Sequence, residues 1–496
     1  MRAILLLTAA SPARSFGFPL LSSGANRRAA ASSGCPDHAP PGDLPATLPA
    51  NLTAALAAVD ALARAAVNAV SVPGVSLTID VGGRELLHTS FGVSSKSPPT
   101  PVTRDTLFRI ASVSKVFPAL IWYALDEAAY YPLDGLVAPL LPLNPSPPSP
   151  QGSNDITVRQ LLSHTSGLQR EAPPGNETAA VLAAVGPLIV PPGTRPSYSN
   201  LGFAVAGYAA AVVSPNPAAT LPSLVSDIIT TPLNLASTGY AYTPSVLSRL
   251  AGGYDANGDA VPFADLGWWY AAGSMYSTTT DLVALGRGIL NAPASGLDIQ
   301  PRTARDFLKP VFMNPDGASG MGTPWEILVI AGFVVRLKGG NLPGYTAAVA
   351  IVPDLDLTLA VTFNGGVDEF GFVSTALSAL LPALNGAFAA VAGAYSPGPR
   401  PADYVGTYTL SGTEVIVRQI GGQLLWDASR AIGVSVWLEW SGDGDVFRAA
   451  FADDAFTCLI GELQALRFQY VVFSRTAGVV DATSMPGWVP AAVWVK

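Results

Sequence analysis

Apolar residues recur at helical spacing through the Ala-rich stretch 51–70, with Asn51 or Thr53 as cap, and predict a first helix there. The period then drops to two. Val75–Asp80 and Glu85–Thr89 flank Gly82-Gly83 and predict a β-hairpin. Helical spacing returns over 112–129, with Pro118 in the first two turns, where a missing N–H costs little. Further helices are predicted at 157–162, stopped near Gly167, at 201–213, and at 278–290 with Asp281 in the first turn. Three strands follow at 331–338, 347–352 and 357–363, with turns at 340–344 and Pro353-Asp354. The stretch 370–392 reads as a helix interrupted at Pro382, and 142–150 as a Pro/Ser-rich loop.

The pattern changes again after Ser396-Pro397-Gly398-Pro399-Arg400-Pro401, a linker signal. Short alternating runs at 406–410, 414–419, 423–427, 434–440 and 447–451 come roughly every ten residues with Gly turns. That spacing predicts a small all-β barrel or sandwich. The chain therefore divides into a leader (1–40), a main domain (41–395) and a C-terminal β domain (402–496).

Composition narrows the function. In 496 residues, 49% are hydrophobic and only 12% charged, so a large core is available and a mainly disordered chain is excluded. The net charge of −8 leaves no basic excess for nucleic acid. Internal apolar runs are broken by Pro, Gly or charge before roughly 18 residues, so no membrane span is expected. Cys35 and Cys458 leave room for at most one disulfide. The three histidines, His38, His88 and His164, leave little room for a metal site, and no metal or cofactor is expected. The N-terminus supports two readings. Met1-Arg2 before the apolar run 3–10, with Ala29-Ala30-Ala31 as a cleavage site, reads as a secretory signal, and the sequons at Asn51 and Asn176 agree with secretion. Arg2, Arg14, Arg27 and Arg28 among serines, before the first acid at Asp37, read as a mitochondrial transit peptide. Secretion is the favoured expectation.

Three stretches carry candidate chemistry. In Phe108-Arg109-Ile110-Ala111-Ser112-Val113-Ser114-Lys115, Ser112 and Lys115 share one helix face at i,i+3, so an amine reaches the hydroxyl that needs a base. The helix start supplies a backbone N–H for an oxyanion. In Tyr198-Ser199-Asn200 a phenol and an amide sit two apart on a loop before a helix, and a tyrosine beside two cations relays a proton. In Lys338-Gly339-Gly340-Asn341, at the end of an apolar strand, the lysine points to a cleft and the glycines allow close backbone approach to a ligand. Taken singly, each has an ordinary explanation: a capping serine with a surface lysine, a packed tyrosine with Asn200 as helix cap, and a hairpin turn.

Order and separation change this. S-x-x-K (Ser112 to Lys115), Y-x-N (Tyr198 to Asn200) and K-x-G (Lys338 to Gly340) together resemble the serine β-lactamase and penicillin-binding-protein superfamily. More narrowly, they resemble its class C-like branch of D,D-peptidases and esterases. The flanking Thr106–Ala111, Leu161-Leu162-Ser163-His164-Thr165-Ser166-Gly167-Leu168, Pro192-Gly193-Thr194 and 273–281 agree, and the likeness covers about residues 50–395. It implies an α/β (α+β) fold, with an antiparallel sheet flanked by helices and an α-helical lobe. The C-terminal β segment resembles a lipocalin-like accessory domain. By the same resemblance Ser112 is acylated, and Lys115 and Tyr198 share general-base and general-acid duty. Asn200 binds the substrate amide or orients Lys115, and Lys338 stabilises the tyrosine and attracts a negative substrate group. The N–H groups of Ser112 and Asn341 form the oxyanion hole, Gly340 completes the third motif, and His164 is structural rather than a triad base.

One departure bears on substrate. Many penicillin-recognising relatives carry Thr or Ser where this chain has Gly339, which offers no hydroxyl to a substrate carboxylate. The expected substrate is accordingly a small-molecule or peptide ester or amide. D,D-peptidase or β-lactamase activity, and a non-catalytic scaffold, are the alternatives. Trp268-Trp269-Tyr270 read equally as the wall of an apolar acyl pocket and as core aromatics.

Overall fold

Residues 42–67, 70–141, 155–171, 182, 185–392, 400–432, 434–441, 444–451, 470–485 and 493–496 are described in a computed structural model. The leader, both cysteines, the loop at 142–150, the Asn176 sequon and most of the linker fall outside these residues. The predicted hairpin forms as Gly74–Val81 (β1) and Arg84–Lys96 (β2). Its turn residues Gly82 and Gly83 lie at φ of 58° and 83°, a region that side chains with a Cβ avoid. The remaining strands of the main domain are Pro99–Pro101 (β3), Phe108–Arg109 (β4), Tyr276–Ser277 (β5), Phe312–Met313 (β6), Ser319–Met321 (β7), Glu326–Ile330 (β8), Phe333–Leu342 (β9), Tyr345–Val352 (β10) and Leu357–Phe363 (β11). Nine of these eleven strands pair antiparallel in the order β3-β2-β1-β11-β10-β9-β8-β7-β6, and β4 and β5 form a small ladder of their own.

The central strands β1, β10 and β11 are buried along their whole length, because both faces of the sheet are covered. Alternation on β10 separates the two sides. Ala348, Ala350 and Val352 pack with the helices Ala50–Ala66 and Glu369–Ala392, while Ala347, Val349 and Ile351 pack with a helical lobe. That lobe includes Val116–Glu127, Asn200–Val213 and Thr279–Leu290. Thr157 and Thr278 cap helices where predicted; Ser199, not Asn200, caps Asn200–Val213.

Three expectations are corrected. Residues 111–115 form a 3-10 turn before the helix proper begins at Val116. The strand predicted to end at Lys338 continues through Asn341 to Leu342, because Lys338–Asn341 pair with β10. Pro382 does not interrupt its helix, which runs unbroken from Glu369 to Ala392. Pro382 and Ser378 are both exposed, so the carbonyl that loses its N–H partner meets solvent. By length and composition this helix is also long and apolar enough over Glu369–Ala390 to cross a membrane. Its buried face, with Phe372, Val373, Leu377, Leu380, Leu381 and Leu384, packs in the core with the sheet.

The C-terminal runs close into an eight-stranded antiparallel barrel: Gly406–Leu410, Thr413–Ile420, Gln423–Ala428, Val434–Trp440, Val446–Phe451, Tyr470–Thr476, Val479–Ser484 and Val493–Val495. Closure comes from Thr409 against Val495. Buried Tyr408, Trp426, Phe447, Phe473 and Trp494 fill the interior, as expected for a barrel of this size.

Candidate active site

Ser112 stands in the 3-10 turn Ala111–Lys115, entered through Ala111 at a left-handed φ of 47°. Its N–H lies in the first turn, where no intrahelical acceptor exists. Strand β9 passes against this turn. A Cβ on Gly340 would come within 2.4 Å of the Ile110 carbonyl oxygen and 2.9 Å of the Ser112 nitrogen, so only glycine fits. The close approach anticipated for the glycines is thus to the protein's own backbone. Gly339 faces the other way, where a Cβ would meet Phe370 at 2.9 Å and Glu369 at 3.0 Å.

Lys115 is fully buried and makes three hydrogen bonds through Nζ: to Ser112 Oγ (3.0 Å), Asn200 Oδ1 (2.8 Å) and the Ala272 carbonyl (2.7 Å). None of these acceptors is charged. Burial, reinforced by the positive charge of Lys338, pulls its pKa down to about 8. Asn200 opens its helix and is fixed from two sides. Its N–H donates to the Arg170 carbonyl at 2.7 Å. Its Nδ2 donates to both oxygens of Glu171, at 3.1 and 2.9 Å. That carboxylate can accept only, so it dictates which end of the amide faces Lys115.

Lys115 Nζ and Lys338 Nζ lie 5.0 and 5.2 Å from the centroid of the Tyr198 ring. Burial pushes the pKa of Tyr198 up, but the two ammonium groups outweigh burial and leave it below the usual phenol value. The ring stacks on His164 with centroids 4.1 Å apart. Buried His164 accepts the Ser199 N–H on Nδ1 at 3.0 Å, and burial plus Lys115, Lys338 and Arg170 hold its pKa well below the ordinary value. It is a neutral platform under the tyrosine. Ser114, the neighbouring hydroxyl, instead accepts the Met275 N–H at 3.1 Å.

Lys338 is as deeply buried as Lys115 but ion-pairs with Glu326, at 2.5 Å. Burial pulls its pKa down; Glu326 and Tyr198 outweigh this and leave it above the ordinary value. Glu326 Oε2 also accepts the Gly339 N–H at 3.3 Å. Ser112, Asn200, Asn341, Leu266, Trp269 and Leu342 line a small cleft of about 60 Å³. Trp269 therefore walls the cleft, as one of the two readings anticipated; the Trp268 side chain lies outside the described residues.

The predicted residues Ser112, Lys115, Tyr198, Asn200, Lys338, Gly340 and Asn341 thus come together from three distant segments. Glu326 and Glu171 were missed. A lone acid in the apolar run Trp325–Ile330 was a usable signal for Glu326. Glu171 carried none.

Residues 59–383 match the family described as Beta-lactamase. A human protein, putative beta-lactamase-like 1, is 32% identical over 397 residues, covering 76% of this chain and 78% of its own length. A class C beta lactamase from Rhodobacter sphaeroides superposes with a TM-score of 0.55 at 21% identity, covering 67% of this chain and 98% of that one. EstCE1, a hydrolase with promiscuous acyltransferase activity, gives 0.56 at 20% identity, covering 68% and 99%. The two structural likenesses are likenesses of fold.

Proposed function

The chain belongs to the beta-lactamase family, and from that premise we propose that it is a serine hydrolase working through an acyl-enzyme on an ester or amide, with Ser112 as nucleophile. The observation that carries this reading is the surroundings of Lys115. A neutral amine has two N–H bonds and one lone pair. The Asn200 and Ala272 oxygens take the two N–H bonds, which leaves the lone pair for the Ser112 hydroxyl. Lys115 with a pKa near 8 is a competent base close to neutral pH.

As the Ser112 Oγ–carbon bond forms, the hydroxyl proton moves to Lys115, and the carbonyl π electrons move to oxygen. The N–H groups of Ser112 and Asn341 stabilise that oxyanion, each worth roughly 3 kcal/mol. As the oxyanion re-forms the carbonyl and the bond to the leaving oxygen or nitrogen breaks, Tyr198 gives that atom its proton and takes the one held by Lys115, which returns the amine to its neutral form. Water then repeats the sequence on the acyl-enzyme and frees Ser112.

Two features favour a substrate without a carboxylate over a β-lactam or D,D-peptide. Gly339 has no hydroxyl, and the room for one is taken by Phe370 and Glu369. Lys338 is already neutralised by Glu326. A fluorophosphonate probe should label the wild-type protein covalently, and Ser112→Ala, with unchanged circular dichroism, should abolish labelling. Undiminished labelling of Ser112→Ala would refute the nucleophile. Rapid nitrocefin turnover with negligible hydrolysis of p-nitrophenyl butyrate would select the β-lactamase reading instead.

A further inference from the structure

A second and larger cavity, about 470 Å³, lies beside the cleft and plays no part in the scheme above. The two share a wall. Along residues 265–274, Leu266, Trp269 and Gly273 line the cleft, and Asp265, Gly267, Tyr270 and Ser274 line the cavity. Its walls also carry Tyr240, Tyr242 and Phe263. Such a mixture of aromatic surface and a few polar groups is typical of small-molecule sites.

The cation in this cavity is Arg109, only 4% exposed. Its guanidinium lies 4.8 Å from the Phe263 ring centroid and 5.8 Å from that of Tyr242. The Tyr242 hydroxyl donates to the Ser274 carbonyl at 2.8 Å. Among the described residues no carboxylate ion-pairs with Arg109. Asp265, on the exposed rim, instead accepts the Gly267 N–H at 3.0 Å. The Arg109 Nε and the hydroxyls of Tyr240 and Ser274 are buried without any hydrogen-bond partner. A buried guanidinium without a counter-charge is costly, and ring faces offset only part of that cost.

We propose that this cavity binds a carboxylate carried on an apolar body, with the carboxylate on Arg109 and the body against Tyr240, Tyr270 and Phe263. A planar guanidinium is the side chain best matched to a carboxylate. The aromatic walls supply contact area that an inorganic anion leaves unused. Arg109 precedes the nucleophile by three residues, so an occupant sits next to the acylation cleft.

The test uses the full-length Ser112→Ala protein, so its result does not depend on acylation. It is titrated by calorimetry with 4-phenylbutyrate and with 4-phenylbutyramide, which differ only in the charged group. The acid should bind at least about tenfold more tightly than the amide. Adding Arg109→Met should erase the difference. Arg109 is buried and that variant risks misfolding, so Asp265→Asn gives an independent reading. It keeps the acceptor for Gly267 but removes a rim charge, and should tighten the acid about twofold while leaving the amide unchanged. Equal binding of acid and amide overturns the proposal. So does an acid preference that neither Arg109→Met nor Asp265→Asn alters, since the anion would then sit elsewhere.

Discussion

Lys115 and Lys338 both lie beside one tyrosine, 5.0 and 5.2 Å from its ring centroid, and both are buried. Burial alone lowers the pKa of each. They diverge because of their other partners. Lys338 has the carboxylate of Glu326, and its pKa ends above the ordinary value. Lys115 has an amide oxygen, a main-chain carbonyl and a hydroxyl, and ends near 8. Uncharged acceptors orient an amine without stabilising its positive form nearly as well as a carboxylate does. One lysine is thereby a permanent cation and the other a base.

The sharpest contrast comes from removing each lysine. Lys115→Met should lower kcat/KM by about a hundred- to ten-thousandfold, the range for loss of a general base. Its stability effect has a definite sign. An unfolded lysine titrates near 10.5 and the folded one near 8. Below about pH 8 both are protonated, and the cost of burying the charge is fully present. It fades as pH rises from 8 towards 10.5, while the folded lysine is neutral. Lys115→Met should therefore raise Tm most at pH 6–7 and give a shrinking gain above pH 8. Lys338→Met should do the reverse, lowering stability by about 3 kcal/mol at pH 7, because the part-buried Glu326 carboxylate loses its counter-charge. Thermal melts of both variants across pH 6–10 check this, and parallel losses of stability would break the contrast.

A subtler exchange turns one lysine into the likeness of the other. Asn200→Asp combined with Glu171→Gln swaps amide and carboxylate while keeping a hydrogen bond between positions 200 and 171. Lys115 then faces a carboxylate, as Lys338 does. Its pKa should rise, moving the acidic limb of the pH–kcat/KM profile in the alkaline direction. If the rise is about two units, the rate at pH 7 falls about a hundredfold and recovers at high pH. A uniform loss at every pH would show that Asn200 acts on the substrate rather than on Lys115.

This difference between the lysines was only half legible in the sequence. The three motifs named Ser112, Lys115, Tyr198 and Lys338, because their chemistry depends on residue types at short local spacing. Likewise the hairpin, the central strands and the first five runs of the barrel announced themselves by period and turn residues. What decides each lysine's charge does not lie near it in the chain. Glu326 reaches Lys338 across the β8–β9 pairing, where it sits opposite Leu337. Glu171 reaches Asn200 from a loop 29 residues earlier. Such contacts depend on tertiary register, which one-dimensional periodicity does not encode. The barrel strands beyond 451 were missed for a related reason: closure pairs Thr409 with Val495, at opposite ends of the domain.

The mildest change acts on Lys115 from a distance. Glu326 touches Lys338, yet its charge also raises the pKa of Lys115 and of Tyr198. Glu326→Gln keeps the shape and an acceptor for Lys338 but removes that charge. Each of the three groups then loses a negative neighbour, so Lys115 should give up its proton more easily. The acidic limb of kcat/KM should shift to lower pH by less than about one unit, with a gain of no more than about fivefold at pH 6–7 and little change at pH 9. The size of the shift is what matters. If Lys338, with its pKa left unsupported, were the titrating group behind the limb, losing its direct counter-ion would move the limb by far more than a unit. If Lys115 is the base, the shift is small, because Glu326 reaches it only through space. The size of one kinetic pKa change therefore distinguishes the two lysines in the working enzyme.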